Sequence, residues 1–184
     1  MSGRIRSTVA ASAPPAATAA ARSLAFTLER EFAASRADVW TAWTDAEHLA
    51  QWWGPAGCKV QVHRLEFRPG GFFHYEMRFD GAPPMWGRFN YRDIAQPDRI
   101  EWLNSFSNER CGITRAPFSP DCPLEILNTV TFSEDRPGRT TVRLRAVPFG
   151  ENDAERAFFL ALHPSLAQGY GGTLDQLATH LQAR

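Results

Sequence analysis

The sequence predicts an α+β fold: one curved antiparallel sheet of about six or seven strands, wrapped around a long C-terminal helix, with two short helices after the first strand. Three observations carry this. From Lys59 to Val147 the apolar residues recur with a period of two, segment after segment, as in strands with one wet and one covered face. From Asn152 onward the period becomes three or four. Before Lys59 lie two short helical patterns, each opened by a capping residue.

Taken in order, "LAFTLEREFAA" (24–34) alternates Leu24, Phe26 and Leu28 with polar neighbours and reads as the first strand. "SRADVWTAWT" follows, with Ser35 as N-cap and Asp38 favourably placed in the first turn. "DAEHLAQWW" is a second short helix capped by Asp45 and ended by Gly54-Pro55. Adjacent residues on a helix point about 100° apart, so Trp52 and Trp53 cannot share one face. One indole is expected to pack with Trp43 and Leu49, the other to turn toward the sheet edge or a cavity mouth.

The strands that follow are "KVQVHRLEF" (59–67), "FFHYEMRF" (72–79), "WGRFNYRDI" (86–94), "RIEWLNSF" (99–106), "EILNTVTFS" (125–133) and "RTTVRLRAV" (139–147). "RPGG" between the first two is a turn whose glycines permit positive φ. The last segment places apolar residues at 159, 162, 166, 170, 174, 177 and 181, one long amphipathic helix. Pro164 predicts a kink or a break into two segments. Gly169, Gly171 and Gly172 weaken this helix, and close approach of its backbone to the sheet would explain them.

At 184 residues the chain suits one domain over 24–184. Residues 1–23 are Ala/Arg/Ser-rich, acid-free and broken by Pro14-Pro15, and are expected to be a disordered tail. That composition also has the pattern of an organelle transit peptide. Twenty basic and twenty acidic residues cancel, so no nucleic-acid partner is expected. No run of about 18 apolar residues occurs, so no membrane-spanning helix is expected. Cys58, Cys111 and Cys122 are odd in number and lack CxxC spacing, which fits a reducing, cytoplasmic location without disulfides.

Catalytic signatures are missing from the sequence: no GxSxG, HExxH, Walker loop or GxGxxG after a strand. The five histidines stand on separate elements without ligand spacing, so neither metal nor cofactor is expected. His74 and Glu76 share a strand face assigned to solvent. The stretch 104–124 reads as a long loop carrying Phe106, Ile113 and Phe118, a lid or a structural cover. If Arg143 and Arg145 point outward, the opposite parity lines the space under the long helix. That assigns Tyr75, Met77, Phe89, Tyr91, Trp102, Asn104, Phe106, Asn128 and Val130 to the concave side. Their polar groups either bond to one another or converge on a small-molecule pocket.

The stretches "VWTAWTDAEHLAQWWGP", "RPGGFFHYEM", "TVTFSEDRPGRTTVRL" and "GYGGTLDQLATHL", in this order, resemble the START-like (SRPBCC) superfamily. Within it they are most similar to the branch named for homologues of the C-terminal domain of the activator of heat-shock protein 90 ATPase. The resemblance covers about residues 24–183. It implies a helix-grip fold with a cavity between sheet and helix. Where members commonly carry Gly-Trp in the last helix, this chain has Gly169-Tyr170. The matched motif residues are architectural, so no catalytic residue is implied. The superfamily includes lipid and hormone carriers and polyketide cyclases, and the branch name implies a co-chaperone role.

The leading expectation is therefore a binding module for a small hydrophobic or aromatic molecule, with Tyr75, Met77, Tyr91, Trp102, Phe106, Asn128, His163 and Tyr170 lining the site. Two alternatives stand beside it. One is a polyketide-cyclase- or hydratase-like enzyme using His163 or a tyrosine as general acid or base. The other is a co-chaperone that binds a protein partner through 104–124. A homodimer is left open.

Overall fold

The computed structural model describes residues 24–150 and 152–183. The predicted tail, 1–23, lies outside the described residues. The element order is β1 (Phe26–Phe32), α1 (Arg36–Thr44), α2 (Ala46–Trp52), β2 (Lys59–Leu65), β3 (Phe72–Arg78), β4 (Met85–Ala95), β5 (Arg99–Ser107), β6 (Ile113–Thr114), β7 (Ile126–Arg136), β8 (Arg139–Pro148) and α3 (Asp153–Gln182). Among the described residues, eight antiparallel strands form one sheet, ordered β1-β8-β7-β5-β4-β3-β2, with β6 pairing β5. The helix-grip architecture is present as predicted.

The local signals work as physics requires. The Ser35 hydroxyl accepts from the Asp38 N–H at 3.2 Å and caps α1. Asp45 ends α1 and caps α2, accepting from the N–H groups of Glu47 and His48. In "RPGG", Gly70 adopts φ +75°, while a Cβ on Gly71 would stand 2.1 Å from the Glu66 carbonyl. Both amides donate to backbone carbonyls, Tyr91 and Arg68 respectively, so the turn is a hairpin device.

The two tryptophans answer the question their adjacency raises. Trp52 is fully buried, rings on Trp43 at 4.9 Å, and its indole N–H donates to the Ala42 carbonyl at 2.9 Å. Trp53 turns into the sheet, edge-on to Phe89 at 5.1 Å and near Tyr75. Phe89 stacks on Trp102 at 4.8 Å, and Trp43 also meets Phe132. Helices α1 and α2 thus close one end of the concave face with interlocked rings.

Three expectations are corrected, and of the two outcomes given for Pro164 the break does not occur. Helix α3 is continuous through Pro164, without a break. The Leu160 carbonyl loses its helical donor there, and the residue is 47% exposed. The helix glycines are not spacers: a Cβ built on Gly169, Gly171 or Gly172 meets nothing within 4 Å. The 104–124 stretch is not all loop. Residues 104–107 extend β5, and β6 folds back on it through Phe106↔Thr114 and Ser107↔Ile113.

Finally, His74 and Glu76 are not solvated; they are only 4% and 2% exposed. Trp86 stacks on His74, the His63 ring lies against both, and the 108–112 turn folds over the strand so that His74 Nε2 meets the Asn108 carbonyl at 3.0 Å. Period-two alternation identifies a second face without saying what covers it.

Candidate functional site

Phe159, Leu174 and Leu177 of α3 are buried in the core, and a cleft lies toward the β3–β5 part of the sheet. There β3, β4 and β5 run side by side with Tyr75, Gly87 and Phe106 in register. Gly87 is the floor. A Cβ there would stand 2.4 Å from the Tyr75 ring, so the missing side chain lets that ring lean across β4. The result is a cleft of about 90 Å³. Met77, Asn104 and Ile126 complete the sheet side, and Cys122 and Pro123 form the opposing wall.

That wall belongs to a strap, residues 115–124, held by one guanidinium. Arg115 Nη1 donates to the carbonyls of Pro120 (3.0 Å) and Cys122 (3.3 Å) and to Glu155 Oε1 (2.8 Å) at the start of α3. Charge-assisted bonds of this kind are stronger than neutral ones. Phe118 rests edge-on against Phe106 at 5.6 Å and is 61% exposed.

The polar groups at the cleft are few. Asn104 Oδ1 is buried without a hydrogen-bond partner. Burial pushes the Tyr75 hydroxyl up to about 12, so it stays protonated and able to donate. The Trp53 indole N–H lies near that hydroxyl, too loosely placed for a good hydrogen bond, and offsets part of the rise. Burial, followed by the nearby Glu155 carboxylate, raises the Cys122 thiol.

The predicted site residues divide into three groups. Tyr75, Met77 and Phe106 line the cleft. Asn128 and Tyr170 meet each other: the Tyr170 hydroxyl donates to Asn128 Oδ1 at 3.0 Å, and Asn128 Nδ2 donates to the Ile126 carbonyl. Burial holds the Tyr170 hydroxyl above its ordinary range. Tyr91, Trp102 and His163 stand apart from the cleft. Tyr91 packs on Phe67, Trp102 on Phe89, and His163 between the rings of Phe26 and Phe159. Burial also raises the Tyr91 hydroxyl. Gly87, Cys122, Pro123 and Ile126 were not singled out from the sequence. A glycine inside a strand pattern is the one available signal, since it often marks close approach.

A curved antiparallel sheet closed by a long C-terminal helix, with two short helices after the first strand, defines the START-like class. The chain belongs to the family of activator of Hsp90 ATPase homolog 1-like proteins, whose family model matches residues 33–182. Solved structures agree in fold. A protein from Arthrobacter aurescens is 23% identical with a TM-score of 0.73, over 89% of both chains. One from Mycobacterium smegmatis is 23% identical with a TM-score of 0.69, over 89% of this chain and 94% of that one. An AHSA1 protein from Silicibacter pomeroyi is 19% identical with a TM-score of 0.64, over 86% and 98%. At these identities the likeness shows the fold. No curated protein matches the chain.

Proposed function

We propose that the protein binds a compact, largely apolar molecule carrying one hydrogen-bond donor, in the cleft between β3–β5 and the 115–124 strap. The observation that carries this reading is Asn104 Oδ1, a buried acceptor with no partner on the wall of a mostly apolar recess, where the buried Ser105 hydroxyl is likewise unpaired. A buried polar atom left unpaired costs about 1–3 kcal/mol, and a ligand donor would recover part of it. The ligand is small. A cavity near 150 Å³ accommodates benzene, and this cleft is narrower, at about 90 Å³, but open to one side.

Phenol and toluene separate the polar from the apolar contribution. Titrated against tryptophan fluorescence, phenol is expected to bind about threefold to tenfold tighter, the net worth of one hydrogen bond. Asn104→Leu should erase that preference. Failure of both probes to bind, with no co-purified small molecule by native mass spectrometry, would sink the proposal.

A specific observation favours a second reading. Phe118 and Ile113 are exposed apolar residues on or beside the strap, and the family description refers to Hsp90 ATPase activation. In that reading the strap contacts a protein partner. Capture by Hsp90 that is lost in Phe118→Ser would support it, and an absence of capture by the unaltered chain would count against it.

A further inference from the structure

The strap that walls the cleft is tied to the molecule unlike any regular element. Residues 115–124 belong to no strand or helix. Two of them, Ala116 and Cys122, are buried, yet neither joins the hydrophobic core that the sheet shares with α1, α2 and α3. Phe118, the strap's one aromatic ring, touches Phe106 and remains mostly exposed. Both ends of the strap are fixed. Before it, Thr114 pairs with Phe106 and donates from Oγ1 to the Ser107 carbonyl at 3.3 Å. After it, the Glu125 carbonyl accepts from the Phe149 N–H at 2.9 Å.

Between these ends Arg115 organises the chain. Its Nη1 gathers the Pro120 and Cys122 carbonyls, so the strap is folded around its own guanidinium. Among the described residues, one side-chain hydrogen bond leaves the strap, the third from that same nitrogen, to Glu155. Glu155 lies in the first turn of α3, where its own N–H donates to the Asn152 capping oxygen at 3.2 Å. The carboxylate is therefore the fixed and buried partner, and the half-exposed Arg115 is the movable one.

Segments with few core contacts open at lower cost than the whole molecule unfolds. We propose that residues 115–124 form a hinged flap over the cleft, which swings as one unit about Thr114 and Glu125 and is clasped shut by Arg115 on Glu155. Swinging out removes Cys122 and Pro123, the wall opposite the sheet, and leaves the strand side in place. Entry to the cleft then depends on one ion pair. Closure is favoured because opening strands the Glu155 carboxylate, a charged acceptor that is costly to leave buried without its donor. The flap is a property of the unliganded chain and stands whether or not the cleft takes phenol.

Cys122 reports the motion, since its buried thiol becomes accessible when the wall lifts. In the full chain carrying Cys58→Ser and Cys111→Ser, it is the single thiol. Its labelling by excess dithiodipyridine is followed at increasing urea below the unfolding transition. Local opening exposes little surface, so the rate should rise only weakly with urea, whereas labelling through global unfolding would follow the full slope of the equilibrium transition. Glu155→Gln keeps the shape and a neutral hydrogen bond, and should speed labelling about threefold to tenfold, the difference between a charged and a neutral acceptor. Arg115→Met, which releases all three bonds, should speed it further. A rate that tracks global unfolding, or one that neither variant moves, would overturn the flap. If a variant unfolds, the urea dependence of the chain with Arg115 and Glu155 intact decides alone. Saturating phenol should slow the labelling; if it does not, the ligand proposal fails while the flap stands on its weak urea dependence.

Discussion

The two ends of the concave face are built from the same strands and closed by different kinds of chain. At one end, α1 and α2 present Trp43, Trp52 and Trp53 to Phe89, Trp102 and Phe132, and ring meets ring. At the other, an irregular strap tied by Arg115 faces a strand position with no side chain, Gly87. Regular helices offer a continuous apolar face that interdigitates with a sheet. A strap must satisfy its own backbone carbonyls first, here through Arg115, and cannot also pack to crystal-like density.

This contrast is open to direct test. Trp52→Ala removes a fully buried indole and is expected to cost about 3–5 kcal/mol in chemical denaturation. Phe106→Ala, at the cleft, should cost clearly less, because the ring is only half-buried. Equal costs would mean that the two ends are packed alike. Gly87→Ala drives a methyl into the Tyr75 ring, so it should destabilise by about 1–3 kcal/mol and close the cleft to phenol. Retained phenol binding in that variant would place the ligand elsewhere.

His74 offers a pH-dependent probe of the same end, since it holds the turn from which the strap departs. Burial lowers its pKa, opposed by the bond to the Asn108 carbonyl. As pH falls through about 6.5, the unfolded chain takes up the proton first. Stability is therefore unaffected above that range and is lost from there down to the depressed folded-state pKa. His74→Gln should flatten this slope in urea titrations at pH 5 to 7, and an unchanged slope would remove His74 from the account. The smallest change concerns α3. Gly172→Ala meets open space and should stabilise the protein by about 0.5–1 kcal/mol, with no effect on phenol affinity. A loss of stability there would show that the helix needs its glycines after all.

Much of the fold was legible because its causes are local. Ser35 and Asp45 satisfy amides two or three residues away, so their side chains announce helix starts wherever the chain goes. Tyr75, Met77 and Phe106 followed from strand parity alone. His74 and Glu76 were assigned to solvent by the same parity, because nothing in a period-two pattern reveals that a turn more than thirty residues later will cover His74, or that Arg78 and His63 will close on Glu76. The Asn128–Tyr170 bond spans 42 residues, and the choice between a closed pair and an open pocket had no sequence signal.

The sequence by itself determined an α+β helix-grip architecture, its strand faces and its helix starts, because periodicity and capping act over a few residues. Only the tertiary structure decided that rings interlock at one end of the sheet and that a cleft opens beneath a strap at the other. It alone brought His48 to His180 across 132 residues. Cavities and side-chain pairs depend on how distant surfaces meet, and that is set by the packing of the whole chain.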